Sequence, residues 1–158
     1  MASVKENVYY PGRSKVVLVV DDKPEVREIL SMVLTMYGYL CVEASNGCEA
    51  ELLYASTHID LVVTDINMPE KNGLSLIEDL KVADPEVKII AMSGSGSEGQ
   101  LPDCLEWAKM LGASNAFVKP FNPVNFMKII DSVLYPSNEQ NQVLEFAEYS
   151  GGHAQLAS

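Results

Sequence analysis

An open α/β sheet, covered on both faces by helices, is the fold class this sequence predicts. Three observations lead to it. Short apolar runs alternate with amphipathic stretches along most of the chain. The first run, Val16 to Val20, is apolar throughout, which suits a strand buried on both faces. Several runs also stop at a charged or hydroxyl residue, as strands do at a functional sheet edge. Strands alternating with helices require right-handed crossovers, so the sheet is expected to be parallel.

The elements follow in order. Lys15 to Val20 is the first strand and ends at Asp21-Asp22. From Pro24, Val26, Ile29, Leu30, Val33, Leu34 and Tyr37 recur at helical spacing until Gly38 stops the pattern. Tyr39 to Ala44 is a second strand, and Asn46 is placed to cap a helix carrying Leu52 and Leu53. Ile59 to Thr64 is a third strand ending at Asp65, and the loop Met68 to Gly73 leads into a helix with Leu74, Ile77 and Leu80. Val87 to Met92 is the fourth strand, ending at Ser93. A Gly/Ser loop and a helix bearing Leu105, Ala108 and Leu111 come next. Ala116 to Val118 is a short fifth strand closed by Lys119-Pro120. The last helix has Asn122 as N-cap and Pro123 at its first position, and it is expected to bury Phe126, Ile129, Ile130 and Val133.

A chain of 158 residues, 47% hydrophobic and 21% charged, fits one domain with short tails. The expected boundaries are an N-terminal arm at 1–13, a domain at 14–136 and a C-terminal tail at 137–158. That tail reads as disordered or as a short docked helix. With 22 acidic residues against 11 basic ones, the net charge of -11 argues against nucleic-acid binding, which needs clustered cations. It disfavours an anionic membrane surface for the same reason. Val16 to Val20 is the longest apolar run, against the ~20 residues a membrane span needs. Lys5, Glu6 and Asn7 stand where a signal peptide would be apolar. Cys41, Cys48 and Cys104 follow no CxxC spacing, so reduced thiols and a cytoplasmic location are expected.

In a parallel α/β sheet the strands' carboxyl ends share one edge, which is where ligands bind. Asp21, Asp22, Asp65, Ser93 and Lys119 are therefore expected to converge. Crowded carboxylates relieve their repulsion by protonation or by binding a cation, and an open, oxygen-only site suits Mg2+ better than Zn2+. One carboxylate could then attack phosphorus while Mg2+ and Lys119 neutralise the phosphoryl oxygens and Ser93 donates a hydrogen bond. Such an inventory suits an acyl phosphate on an aspartate. Taken singly, Asp21 and Asp22 could cap a helix, Asp65 could form a turn, Ser93 could satisfy a loop and Lys119 could be solvated.

The residues Asp21-Asp22, Asp65-Ile-Asn-Met-Pro69, Met92-Ser93-Gly94 and Lys119-Pro120-Phe121 resemble the receiver domain of two-component response regulators, of the chemotaxis type. The resemblance runs from about Lys15 to Tyr135. It implies a flavodoxin-like sheet of five parallel strands in the order 2-1-3-4-5 with five helices. It makes Asp65 the acceptor of a phosphoryl group from a phosphohistidine on a sensor kinase or phosphotransfer protein. Asp21, Asp22, Asp65 and the backbone carbonyl of Asn67 would hold Mg2+. Ser93 would move to the phosphoryl group with Lys119 as its ion-pair partner, and Lys119-Pro120 is a candidate cis peptide. Output is expected through a protein effector on the face of the fourth helix, fifth strand and fifth helix, where Trp107 and Met110 are candidate contacts. The chain is thus expected to be a phosphoacceptor signalling protein that catalyses only its own phosphorylation and dephosphorylation, with no nucleic-acid partner and no membrane insertion.

The chain departs from the family pattern where many receivers carry Tyr or Phe three residues before the lysine. Ala116 stands there, with Phe117 expected on the opposite strand face. The Gly/Ser loop and the fourth helix are then expected to carry the conformational signal. Gly94 to Gly99 matches GxGxxG, but Pro102 interrupts the helix start and the next strand ends in Lys119 rather than an acid. Ser95 lacks the flanking glycines of a nucleophile elbow. An aspartate-nucleophile phosphatase would need an acid where Asn67 stands, and Asp21-Asp22 would repel a phosphate from a flavodoxin-type loop. A phosphoryl relay and an output switch share the same chemistry at Asp65, and both readings remain open.

Overall fold

A computed structural model describes residues 14–94 and 101–136. The N-terminal arm, the Gly/Ser segment 95–100 with its glycine pattern and Ser95, and the tail 137–158 lie outside the described residues. The elements run β1 (Val16–Val20), α1 (Pro24–Met36), β2 (Leu40–Ala44), α2 (Gly47–Ser56), β3 (Leu61–Asp65), α3 (Gly73–Ala83), β4 (Ile89–Gly94), α4 (Leu101–Met110), β5 (Asn115–Lys119) and α5 (Pro123–Leu134). The strands form one parallel sheet in the order β2-β1-β3-β4-β5. Strand order and helix count match the doubly wound arrangement expected from the sequence.

Strand alternation divides the core between the two faces. Leu18, Val20, Val62, Ile89 and Ala91 pack with Ala50 of α2, Leu76, Ile77 and Leu80 of α3, and Ala108 of α4. Val17, Val19, Leu61, Val63, Ile90 and Met92 face the other way, against Leu30, Val33 and Leu34 of α1 and Phe126, Met127, Ile130 and Leu134 of α5. Burying each such Leu, Ile, Val, Phe or Met contributes roughly 1.5–3 kcal/mol, so helices on both faces hold the sheet.

Local signals explain the helix ends. Asn46 Oδ1 accepts the Glu49 amide at 2.9 Å, and Asn72 and Asn122 cap α3 and α5 in the same way through the Ser75 and Val124 amides. Glu49 reaches back to the Ser45 amide at 2.7 Å, a bond that lowers its pKa. Gly38 takes the left-handed conformation (φ 87°) that ends α1.

Differences from the sequence reading are local. β3 starts at Leu61 rather than Ile59, because Asp60 bonds to the Val16 backbone through its carboxylate as well as its amide. β4 starts at Ile89, because the Val87 amide turns back to the Asp84 carbonyl. Ile29 and Leu52, assigned to helical apolar faces, are exposed, and Ile129 and Val133 are half-buried. The three cysteines are unbridged. No helix among the described residues is long and apolar enough to cross a membrane.

Candidate functional site

Parallel pairing aligns the strand ends. Val20 lies opposite both Ala44 and Thr64, Asp65 opposite Met92, and Gly94 opposite Lys119. Asp21 therefore leaves β1 beside the ends of β2 and β3, and the long Lys119 side chain reaches it from the end of β5. It is fully buried, and both its oxygens are engaged: Oδ2 accepts from Lys119 Nζ at 2.8 Å and Oδ1 accepts the Lys23 amide at 2.9 Å. The N-cap position of α1 is Lys23, with no side-chain cap, so Asp22 is not used to start that helix. Lys119 Nζ also lies 3.2 Å from Asp65 Oδ1 as an ion pair.

The three carboxylates each offer an oxygen, and these oxygens lie within 4.8 Å of one another. Asp22 Oδ1 is buried with no hydrogen-bond partner, which is costly unless something else meets it, and Asp65 Oδ1 is buried with only the Lys119 ion pair beside it. A hard divalent cation fits this donor set: oxygen ligands, more negative charge than the single Lys119 offsets, and an orphaned acceptor on Asp22. Burial raises the Asp65 pKa, and the Asp21 and Asp22 charges add to the rise, while Lys119 opposes them. For Lys119 burial acts downward, but its hydrogen bond to Asp21 and the charge of Asp65 prevail and raise its pKa.

Ser93, on β4, is fully buried, and its hydroxyl accepts from Asn67 Nδ2 at 3.4 Å. Asn67 is exposed, two residues after Asp65. The loop between them and α3 is tightly constrained. The Ile66 amide bonds the Met92 carbonyl, the Gly73 amide bonds the Ile66 carbonyl, and Glu70 adopts a positive φ of 65°. A Cβ at Gly73 would sit 2.1 Å from the Asp65 carbonyl oxygen, so only glycine lets α3 start this close to the strand end. Lys71 ties the loop to Glu51 of α2 at 2.5 Å and to Asp79 of α3.

Asp65, Asn67 and Lys119 face a cavity of about 760 Å3. Its other walls are Lys23, Val26 and Ile29 from the start of α1, Gly94 at the end of β4, Pro120 and Phe121, and Pro123 at the start of α5. Sequence reading missed Val26 and Ile29 as lining residues: helical periodicity assigns both to the core, yet Ile29 is 51% exposed. The Lys119-Pro120 peptide is cis. Phe117 packs on the α1/α5 side, with Phe121 at 5.1 Å and Phe126 at 5.6 Å between ring centroids, whereas Ala116 packs on the opposite side of the sheet. Trp107, Met110 and Val118 are exposed.

A family model described as response regulator receiver domain matches residues 17–131. The chemotaxis protein CheY of Thermotoga maritima is 36% identical over 120 residues, 75% of this chain and 97% of that protein. The autoinducer 1 sensor kinase/phosphatase LuxN of Vibrio harveyi is 35% identical over 98 residues, 62% of this chain and 12% of LuxN. Among solved structures, the response regulator TrrA of Thermotoga maritima in complex with Mg(2+)-BeF superposes with a TM-score of 0.66 at 33% identity, covering 76% of this chain and 99% of TrrA.

Proposed function

The chain belongs to the response regulator receiver domain family, which serves phosphorylation-based two-component signalling, and from that premise we propose that Asp65 is its phosphoacceptor. The donor is a phosphohistidine on a sensor histidine kinase or a histidine phosphotransfer protein. An Asp65 carboxylate oxygen bonds to phosphorus as the N–P bond breaks, and the departing imidazole nitrogen keeps the electron pair and takes up a proton. The observation that carries this reading is the convergence of Asp21, Asp22 and Asp65 with Lys119 at one sheet edge.

Asp21, Asp22, Asp65 and the Asn67 carbonyl hold Mg2+. When bound, the ion supplies positive charge to the phosphoryl oxygens. Lys119 is already anchored by Asp21 and adds a second cation on the same side. Ser93, whose oxygen accepts from Asn67 Nδ2, donates its hydroxyl hydrogen to a phosphoryl oxygen. The half-open cavity has an apolar wall of Val26, Ile29, Phe121 and Pro123, which accommodates the donor protein beside Asp65. A protein effector reads the phosphorylated state on the face of α4, β5 and α5, with Trp107 and Met110 as contacts. The functional domain spans residues 14–136 and works in the cytoplasm, catalysing only its own phosphorylation and dephosphorylation.

Incubation with Mg2+ and a radiolabelled small phosphodonor tests the assignment. Labelling that is lost in mild alkali, absent without Mg2+ and absent in Asp65→Asn is expected. Persistent labelling of Asp65→Asn, or a band stable to alkali, would overturn it.

A further inference from the structure

Arg27 has no part in the chemistry above, yet it reaches the edge of the acidic pocket. Its Nη1 donates to the Asp21 backbone carbonyl at 2.7 Å. Its Nε donates to Glu43 Oε2 at 3.3 Å, and Ser31 Oγ holds the other Glu43 oxygen at 2.5 Å. The guanidinium side chain is 16% exposed. Glu43 sits on β2 opposite Val19, and the Ala44 carbonyl next to it accepts the Asp21 amide at 3.2 Å. The N–H side of Asp21 is therefore fixed by β2 and its C=O side by α1. That C=O belongs to the peptide plane joining Asp21 to Asp22, so holding it fixes the Asp22 amide and Cα from which the carboxylate projects.

We propose that Arg27 is a positioning residue for the Mg2+ pocket, orienting Asp22 through the Asp21 carbonyl, while Glu43 holds Arg27 in place and offsets its charge. The inference rests on the Mg2+ reading of the pocket. Its chemistry is distinctive because orientation and charge pull in opposite directions. A cation beside a cation site repels the ion, so removing Arg27 for charge reasons alone tightens binding. Losing an oriented ligand weakens it.

Calorimetric titration of the full chain with Mg2+ separates the two effects. Arg27→Gln is expected to weaken Mg2+ binding about tenfold, the lower end of what partners of metal ligands are worth, and Arg27→Lys to recover part of the loss. Unchanged or tighter binding in Arg27→Gln overturns the proposal. Tyr54→Phe, which removes the bond from Tyr54 to Asp84 far from the pocket, controls for general loosening. If it weakens Mg2+ binding as much as Arg27→Gln, the proposal is also overturned. A wild-type chain that takes up no Mg2+ overturns the pocket reading itself, whereas wild-type binding with no Arg27 effect removes only this inference.

Discussion

At Asp65 the folded chain holds a carboxylate where ionisation is unfavourable: burial raises its pKa and the neighbouring aspartates add to the rise. An acid whose folded pKa lies above its unfolded value stabilises the fold at low pH, and that stability is lost as pH rises through the folded pKa. Asp65→Asn is therefore expected to be more stable than wild type at neutral pH in metal-free buffer, by about 1 kcal/mol, a common scale for a single stabilising change. The gain should vanish below about pH 3, where the wild-type carboxyl is protonated in both states. Urea midpoints at the two pH values check it; an Asn variant that is equally stable at both would contradict the strained-carboxylate picture. Lys119→Met acts the other way. It leaves the fully buried Asp21 Oδ2 without its cation and is expected to cost roughly 3 kcal/mol in the same experiment.

Individual elements were legible from sequence wherever the signal was local. Asn46 and Asn122 announced α2 and α5 because a cap and its amide partners lie within four residues, and Asn46→Ala is expected to cost about 1 kcal/mol in thermal unfolding. The opposite facing of Ala116 and Phe117 followed from strand parity alone. The five strand-end residues were also readable, since each ends an apolar run. What stayed hidden depends on distant partners. Nothing near Arg27 in sequence indicates that its acceptors lie on β2 and at the end of β1. Helical spacing places Ile29 beside Leu30 but does not say that its flank of α1 borders a cavity. Gly73 read as loop punctuation, although the close approach to the Asp65 carbonyl is what demands it. Gly73→Ala is accordingly expected to destabilise by about 3 kcal/mol, because the clash is with backbone and α3 must move away from β3. Circular dichroism in urea measures that loss, and phosphodonor labelling should fall with it.

Over the whole molecule, the acidic pocket draws on the ends of β1, β3 and β5, so a ligand there binds only the folded sheet. Mg2+ is expected to raise the unfolding free energy by about 1.4 kcal/mol at a free ion concentration near ten times its Kd, read as a higher urea midpoint at unchanged slope. Asp22→Asn should abolish that increment, and a midpoint indifferent to Mg2+ in wild type would argue against the pocket. The bond from Lys119 to Asp21 spans 98 positions of the chain. During synthesis, chains emerge from the amino end first. Asp21, Asp22 and Asp65 all leave the ribosome well before Lys119. A nascent or prematurely terminated chain thus carries its acids without the lysine that pairs with two of them, and the pocket is complete only with the last strand.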